Sequence, residues 1–151
     1  MTAMDRSFIE QNRASTERIR RLVSELSDKQ LQHSVGEHWT VAVALAHLAF
    51  WDQRVLFILD KTEREGKLSA FELDAFELDV ITNDISLPFW SAIPPRKAAR
   101  LAIETAEKVN KRLEEFSPNL LEEIYNYNKS FVIRSLHRNE HLDDVDRALK
   151  G

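Results

Sequence analysis

The chain contains no cysteine, which excludes disulfide scaffolds, thiolate metal sites and cysteine nucleophiles together. Only three glycines and four prolines interrupt its 151 residues. With so few breakers, and with many Ala, Leu, Glu, Lys and Arg residues, long helices are favoured. Positive charge is not in excess either: 21 Lys and Arg are interleaved with 25 Asp and Glu, for a net charge of -4. Phosphate binding needs a concentrated basic patch, so no nucleic-acid partner is expected. The one short basic cluster, Arg18, Arg20 and Arg21, reads as a solvated helix face. No apolar run is read as reaching membrane-spanning length, and no membrane partner is expected. The opening Met1-Thr2-Ala3-Met4-Asp5 lacks the basic and apolar regions of a secretory leader, so a cytoplasmic location is expected by default. Gly-rich phosphate loops, Walker sequences and Gly-x-Ser-x-Gly elbows are also missing.

What remains is a helical pattern at the size of one domain, 43% hydrophobic and 30% charged, a globular composition. A first helix is predicted from about Asp5 to Leu26, with Ile19, Leu22, Val23 and Leu26 at i, i+3, i+4 and i+7 and with Phe8 and Ser15 extending the stripe. Ser27 to Glu37 reads as a turn with room for one short helical piece. A second helix is predicted from an N-cap at Thr40 to Glu65, with Gly66 as the stop. Its half from Trp39 to Trp51 is apolar nearly all round and should be buried, whereas Leu59 to Lys67 should emerge into solvent. Residues Lys67 to Pro95 are the least regular. The near-copies Ala70-Phe71-Glu72-Leu73-Asp74 and Ala75-Phe76-Glu77-Leu78-Asp79 are read as a coincidental duplication on a short helix, and Leu87-Pro88-Phe89-Trp90 as packed on the helices. A third helix starts near Pro95 and carries the stripe Ala98, Leu101, Ala102, Thr105, Val109, Leu113 and Phe116 up to Ser117-Pro118. Asn119 to Asn128 connects, with a helical turn at Leu120 to Tyr125. A fourth helix spans about Lys129 to Leu149. No strand or hairpin signal competes. The expected fold is all-α, one domain over 1–151: a four-helix bundle with a long crossover between helices two and three.

Chemistry concentrates on histidine. His137-Arg138-Asn139-Glu140-His141 puts two imidazoles one helical turn apart on one face, roughly 6 Å along the axis. Such a pair suits zinc, nickel or iron. The stripe Ile133, His137, His141, Ala148 lies beside the apolar positions Leu142, Val145 and Leu149. A third imidazole, His47, is the one strongly polar side chain in Val43-Ala44-Leu45-Ala46-His47-Leu48-Ala49-Phe50-Trp51. Alone, a histidine there is more often a core residue bonded to a carbonyl or carboxylate. Three on core faces of two helices favour a shared cation, because unpartnered buried rings cost free energy. Three neutral ligands leave a coordination position open for water or substrate. Asp144 could orient a ligand histidine or lie exposed. Asp52 and Arg54 could line a pocket mouth, Glu140 should point aside, and His33 and His38 are assigned no role. The Glu that would follow the first His of a zinc protease is replaced by Arg138. Glu140 directly precedes His141, which is not the Glu-x-x-His of a di-iron site.

The stretch Trp39-Thr40-Val41-Ala42-Val43-Ala44-Leu45-Ala46-His47-Leu48-Ala49-Phe50-Trp51-Asp52 resembles the second-helix motif of the DinB/YfiT-like superfamily. His137-Arg138-Asn139-Glu140-His141-Leu142 resembles its last-helix His-x-x-x-His, and Asn83, Pro88-Phe89-Trp90 and Ile93-Pro94-Pro95-Arg96 resemble its middle section. The resemblance implies an up-and-down four-helix bundle, often a homodimer, that binds zinc or nickel through His47, His137 and His141. It also implies kinship with S-transferases and isomerases that use a low-molecular-weight thiol as cosubstrate. Two functions compete on this reading. One is a metal-dependent transferase or hydrolase acting on a small molecule. The other is a noncatalytic metal- or ligand-binding bundle, which a pocket filled by Trp51 and Phe89 would favour.

Overall fold

The longest helix is delimited by its two caps. In the computed structural model, which describes residues 4–151, the Thr40 side chain accepts from the Val43 backbone N–H at 3.1 Å and starts the helix Val41–Glu65. Gly66 ends it with φ +68°, a left-handed conformation that costs glycine no Cβ clash. Both limits match the sequence reading. By length and composition this helix could cross a membrane, which corrects the expectation that no apolar run is long enough. Its most apolar 18-residue window is 78% buried inside the fold, as in a core helix.

Numbered in chain order, the helices are α1 (Phe8–Glu25), α2 (Asp28–Leu31), α3 (Val41–Glu65), α4 (Ala75–Asp79), α5 (Leu87–Ser91), α6 (Pro95–Glu115), α7 (Pro118–Tyr127) and α8 (Ser135–Lys150). Residues 1–3, part of the opening stretch read for a leader, lie outside the described residues. The first helix begins later than Asp5, because the Asp5 carboxylate accepts from the Ser7 backbone N–H and hydroxyl and fixes a turn there. A two-stranded antiparallel ribbon, β1 (Ser34–Val35) with β2 (Trp39–Thr40), precedes α3. It was not expected: strands of two residues are too short to show alternation.

The near-copies do not share a helix. Asp74 caps α4 by accepting from the Glu77 backbone N–H at 2.7 Å, so the second copy is helical and the first is left outside. A π-helical segment, Val80–Ser86, then leads into α5. There Trp90 is buried but Phe89 is 74% exposed, so the expected packing holds for one of the two rings. The connection after α6 is the ten-residue helix α7 rather than a single turn. α8 starts at Ser135, after a 3₁₀ turn over Lys129–Phe131, and not at Lys129. The Asn128 side chain accepts from the Ser130 backbone N–H and holds that turn.

Among the described residues the regular structure is thus all-helical apart from the ribbon. α3 packs on α6, α6 on α1, α1 on α8 and α8 back on α3. The interior is not one continuous apolar body. One cluster gathers Phe8, Val55, Leu59, Val109, Leu113 and Ile124. Another gathers Ile19, Leu45, Leu48, Ala102, Leu142 and Val145. Between them each long helix contributes buried polar groups: Asn12, Ser15 and Thr16 from α1, Asp52 from α3, Thr105 and Asn110 from α6, and Ser135 and Arg138 from α8, with Arg134 just before it.

Candidate metal centre

α3 carries His47 at 5% exposure, in the upper part of the helix where almost every residue is buried. α8 carries His137 and His141 one turn apart, both part-buried. The three rings meet. His47 Nε2 lies 3.0 Å from His137 Nε2 and 3.1 Å from His141 Nε2. At metal–nitrogen bonds of about 2.1 Å, two imidazoles on one ion stand roughly 3.0–3.4 Å apart. The two separations from His47 are those of ligands on a common ion, and with all three ligand atoms within 4.8 Å of one another the cluster could hold a metal ion. Without one, His47 Nε2 has a single hydrogen or a single lone pair to divide between two neighbours.

Burial sets the protonation state. It pushes His47 down to about 3, helped by the proximity of His141 and the Arg134 cation. His137 is held well below the usual imidazole range, first by burial and then by Arg134. His141 is also lowered by burial, with Glu140 and Asp144 opposing. All three rings are neutral at pH 7, the form that offers a lone pair to a metal.

The rings are set by aromatic neighbours rather than by carboxylates. Trp39 stacks on His141 at 5.7 Å between centroids and tilts over His47 at 4.8 Å. Trp90 meets His47 edge-on at 5.3 Å. The ribbon and the π-helical segment matter here, because Trp39 belongs to β2 and its Nε1 donates to Asn83 Oδ1 at 3.3 Å. His47 Nδ1 is buried without a partner. Asp144, a candidate to orient a ligand, pairs with Arg147 instead. Metal-bound histidines usually donate their second N–H to an oxygen, which raises ligand basicity. That support is absent at His47.

Two sequence expectations about neighbours are corrected. Asp52 does not line a pocket mouth. It is 1% exposed and accepts from Arg134 Nε at 2.8 Å and from Arg138 Nε at 3.1 Å. Glu140 does not point aside from the site but lines the same cavity as His137 and His141. Arg138 is fully buried, its Nη1 donating to Asn12 O, Ser15 Oγ, Thr16 Oγ1 and Asn110 Oδ1 at 3.0–3.2 Å. Sequence reasoning missed this network. The signal was available: Ser135, Arg138, Leu142 and Val145 form the buried stripe of α8, so a charged residue stood in a core position. Arg18, read as solvated, reaches across to Asp143 and Asp146 of α8, both at 2.8 Å.

A cavity of about 450 Å³ opens beside the three imidazoles, within the range of small-molecule sites. Trp51, Arg54, Arg134 and Glu140 are among its walls. Phe89 is not, so the two rings expected to fill a noncatalytic site do not fill this one. His33 Nε2 donates to Ala148 O at 3.0 Å, and His38 is exposed; neither joins the cluster.

A family model described as the mycothiol maleylpyruvate isomerase N-terminal domain matches residues 12–122. No curated protein and no solved structure matches the chain. The matched span contains His47 but ends before His137 and His141, and the fold brings those two to it.

Proposed function

Because this chain belongs to the family of the mycothiol maleylpyruvate isomerase N-terminal domain, and with it to the DinB/YfiT-like superfamily that its motifs resemble, we propose that it is a metal-dependent enzyme acting on a small molecule with a low-molecular-weight thiol as cosubstrate. His47, His137 and His141 would hold one divalent ion, zinc or nickel. The observation that carries this reading is the convergence of three neutral imidazoles, with the Nε2 atoms of His137 and His141 3.0 and 3.1 Å from that of His47, on the wall of an open cavity. A divalent ion there supplies Lewis acidity, which holds a thiol as its thiolate or lowers the pKa of water. The protein's share is positioning. α8 presents two rings at a fixed rotation, Trp39 and Trp90 fix the third, and Trp51 closes one side. Arg134, bonded to Asp52 and standing 3.5 Å from His137 Nδ1, adds positive potential that favours an anionic sulfur. The thiol class follows the family description, mycothiol itself being the first compound to try.

The same reading takes the closed circuit of α1, α6, α3 and α8 as an up-and-down four-helix bundle, one domain over the chain, cytoplasmic and homodimeric. The test uses untagged full-length protein loaded with zinc or nickel, incubated with mycothiol or another small thiol and an electrophile such as monochlorobimane. Conjugation above the uncatalysed rate that disappears in His47→Ala supports the enzyme. Metal bound without conjugation across a panel of thiols favours the noncatalytic alternative, for which the unsupported His47 Nδ1 is the specific observation.

A further inference from the structure

Arg54 stands in the same cavity as the imidazoles and takes no part in holding them. It lies about two turns after His47 on α3, and Trp51 lies between them. The Arg54 guanidinium is 5.5 Å from the Trp51 ring centroid, and that ring is 6.3 Å from His47's. Phe71 and Phe131 flank the same guanidinium at 4.8 and 4.9 Å. Aromatic faces on three sides hold a planar cation in position.

Its hydrogen-bonding capacity is nearly unspent. Of five N–H donors, the structure gives one a partner: Nη2 donates to the Phe71 carbonyl at 2.6 Å. Arg54 Nε is buried with no partner, and no carboxylate among the described residues forms an ion pair with Arg54, although Glu72 lines the same cavity. Glu72 accepts instead from Asn128 Nδ2 at 3.4 Å. The other cavity arginine, Arg134, is different: it already has Asp52 and the Ser130 carbonyl. A buried guanidinium donor left without an acceptor costs free energy, and an arginine fork matches the two oxygens of a carboxylate.

We propose that Arg54 is the anion anchor of the cavity, binding the carboxylate of a small organic acid whose other end faces the three imidazoles. The inference deepens the metal-enzyme reading, since it names the chemical group by which the substrate or the thiol is held. Burial lowers the proton affinity of Arg54, with Glu72 opposing and Arg134 adding to the lowering, so an incoming anion meets two cations in the cavity. Glu72 and Glu140, which also line the cavity, oppose entry of a second negative charge, which favours a monocarboxylate end at Arg54 over a highly charged ligand.

The test is calorimetric titration of the full chain with benzoate, succinate, inorganic phosphate and neutral benzamide, first chelated and then zinc-loaded. Benzoate should bind saturably, succinate more weakly, and benzamide should not. Arg54→Gln should weaken carboxylate binding at least about tenfold, the loss of one charge-assisted pair, while zinc uptake is unchanged. Arg54→Lys, which keeps the charge and loses the fork, should fall between and serves should the Gln variant not fold. Equal carboxylate affinity in both variants, or phosphate binding without carboxylate binding, overturns the proposal. Carboxylate binding that depends on Arg54 in a protein that takes up no metal would leave the anchor standing and remove the metal reading instead.

Discussion

Replacing Asp52 by Asn leaves the shape of the polar layer intact and removes its one carboxylate. Asp52 touches two guanidinium groups, through Oδ1 to Arg134 Nε at 2.8 Å and Oδ2 to Arg138 Nε at 3.1 Å. All three side chains are at most 5% exposed. Burial pushes the Arg138 pKa down, with Asp52 opposing, so the carboxylate is what makes that buried cation tolerable. Taking one partner out of a buried ion pair costs roughly 3–5 kcal/mol, because the remaining charge is left without compensation. For a chain of about this length, each kcal/mol shifts the melting midpoint by roughly 2–4 °C. Asp52→Asn should therefore lower Tm by about 6–20 °C. Urea unfolding should give the same loss in free energy with little change in slope. Because Arg138 on α8 and Arg134 just before it flank His137, metal affinity should weaken in the surviving folded protein as well. The triple change Asp52→Leu, Arg134→Met and Arg138→Met should recover part of the loss, since apolar replacements remove the desolvation cost of all three charges. A loss below about 1 kcal/mol for Asp52→Asn would mean that the polar layer is hydrated or not closed as described, and would refute the reasoning.

Other expectations follow from the same geometry. On the proposed metal reading, His137→Ala should lose metal affinity by at least about a hundredfold while keeping its far-ultraviolet helical signal, because that reading makes the ring a ligand rather than a packing keystone; unchanged zinc retention on dialysis would remove His137 from the ligand set. The metal-free protein should lose stability as pH falls from about 6.5, the ordinary histidine value, towards about 3, the value for His47 in the fold. The sign follows because the unfolded chain takes up protons that the buried rings refuse, so stability is fully present above the unfolded pKa; acid titration of thermal midpoints reads it, and a flat profile over that window would contradict neutral buried rings. Thr40→Ala should cost about 1 kcal/mol through loss of the α3 cap, measured by chemical unfolding, with its effect also visible at Trp39 fluorescence.

Much of α3 was legible because its limits are encoded by single residues: a hydroxyl at Thr40 that accepts from Val43, and a glycine at position 66 free to adopt positive φ. The three histidines were legible for a related reason. Each stands against an apolar background whose helical period gives its direction, and a hydrophilic ring on a core face asks for a partner. The identity of that partner residue across the fold was not in the local pattern, since His47 and His141 are separated by 94 positions, and only the packing of α3 on α8 brings them together. The ribbon was hidden by its two-residue strands, and α7 by the short apolar period between Ser117 and Asn128. The Asp52 network was missed for a physical reason of another kind. Charged residues are seldom fully buried, so Asp52 was placed at a rim and Arg138 was noticed only as the residue that is not the protease Glu. Their pairing spans 86 positions and leaves no periodic trace except the charged member of α8's apolar stripe.

The central claim is that His47, His137 and His141 surround one ion. X-ray absorption at the metal edge of untagged, zinc- or nickel-loaded protein reads this directly. The account predicts three imidazole nitrogens at about 2.0–2.1 Å, with the remaining positions filled by light atoms from solvent, and a fall to two imidazoles in His141→Ala. A coordination shell of oxygens alone, or a metal-edge spectrum unchanged by that substitution, would contradict it.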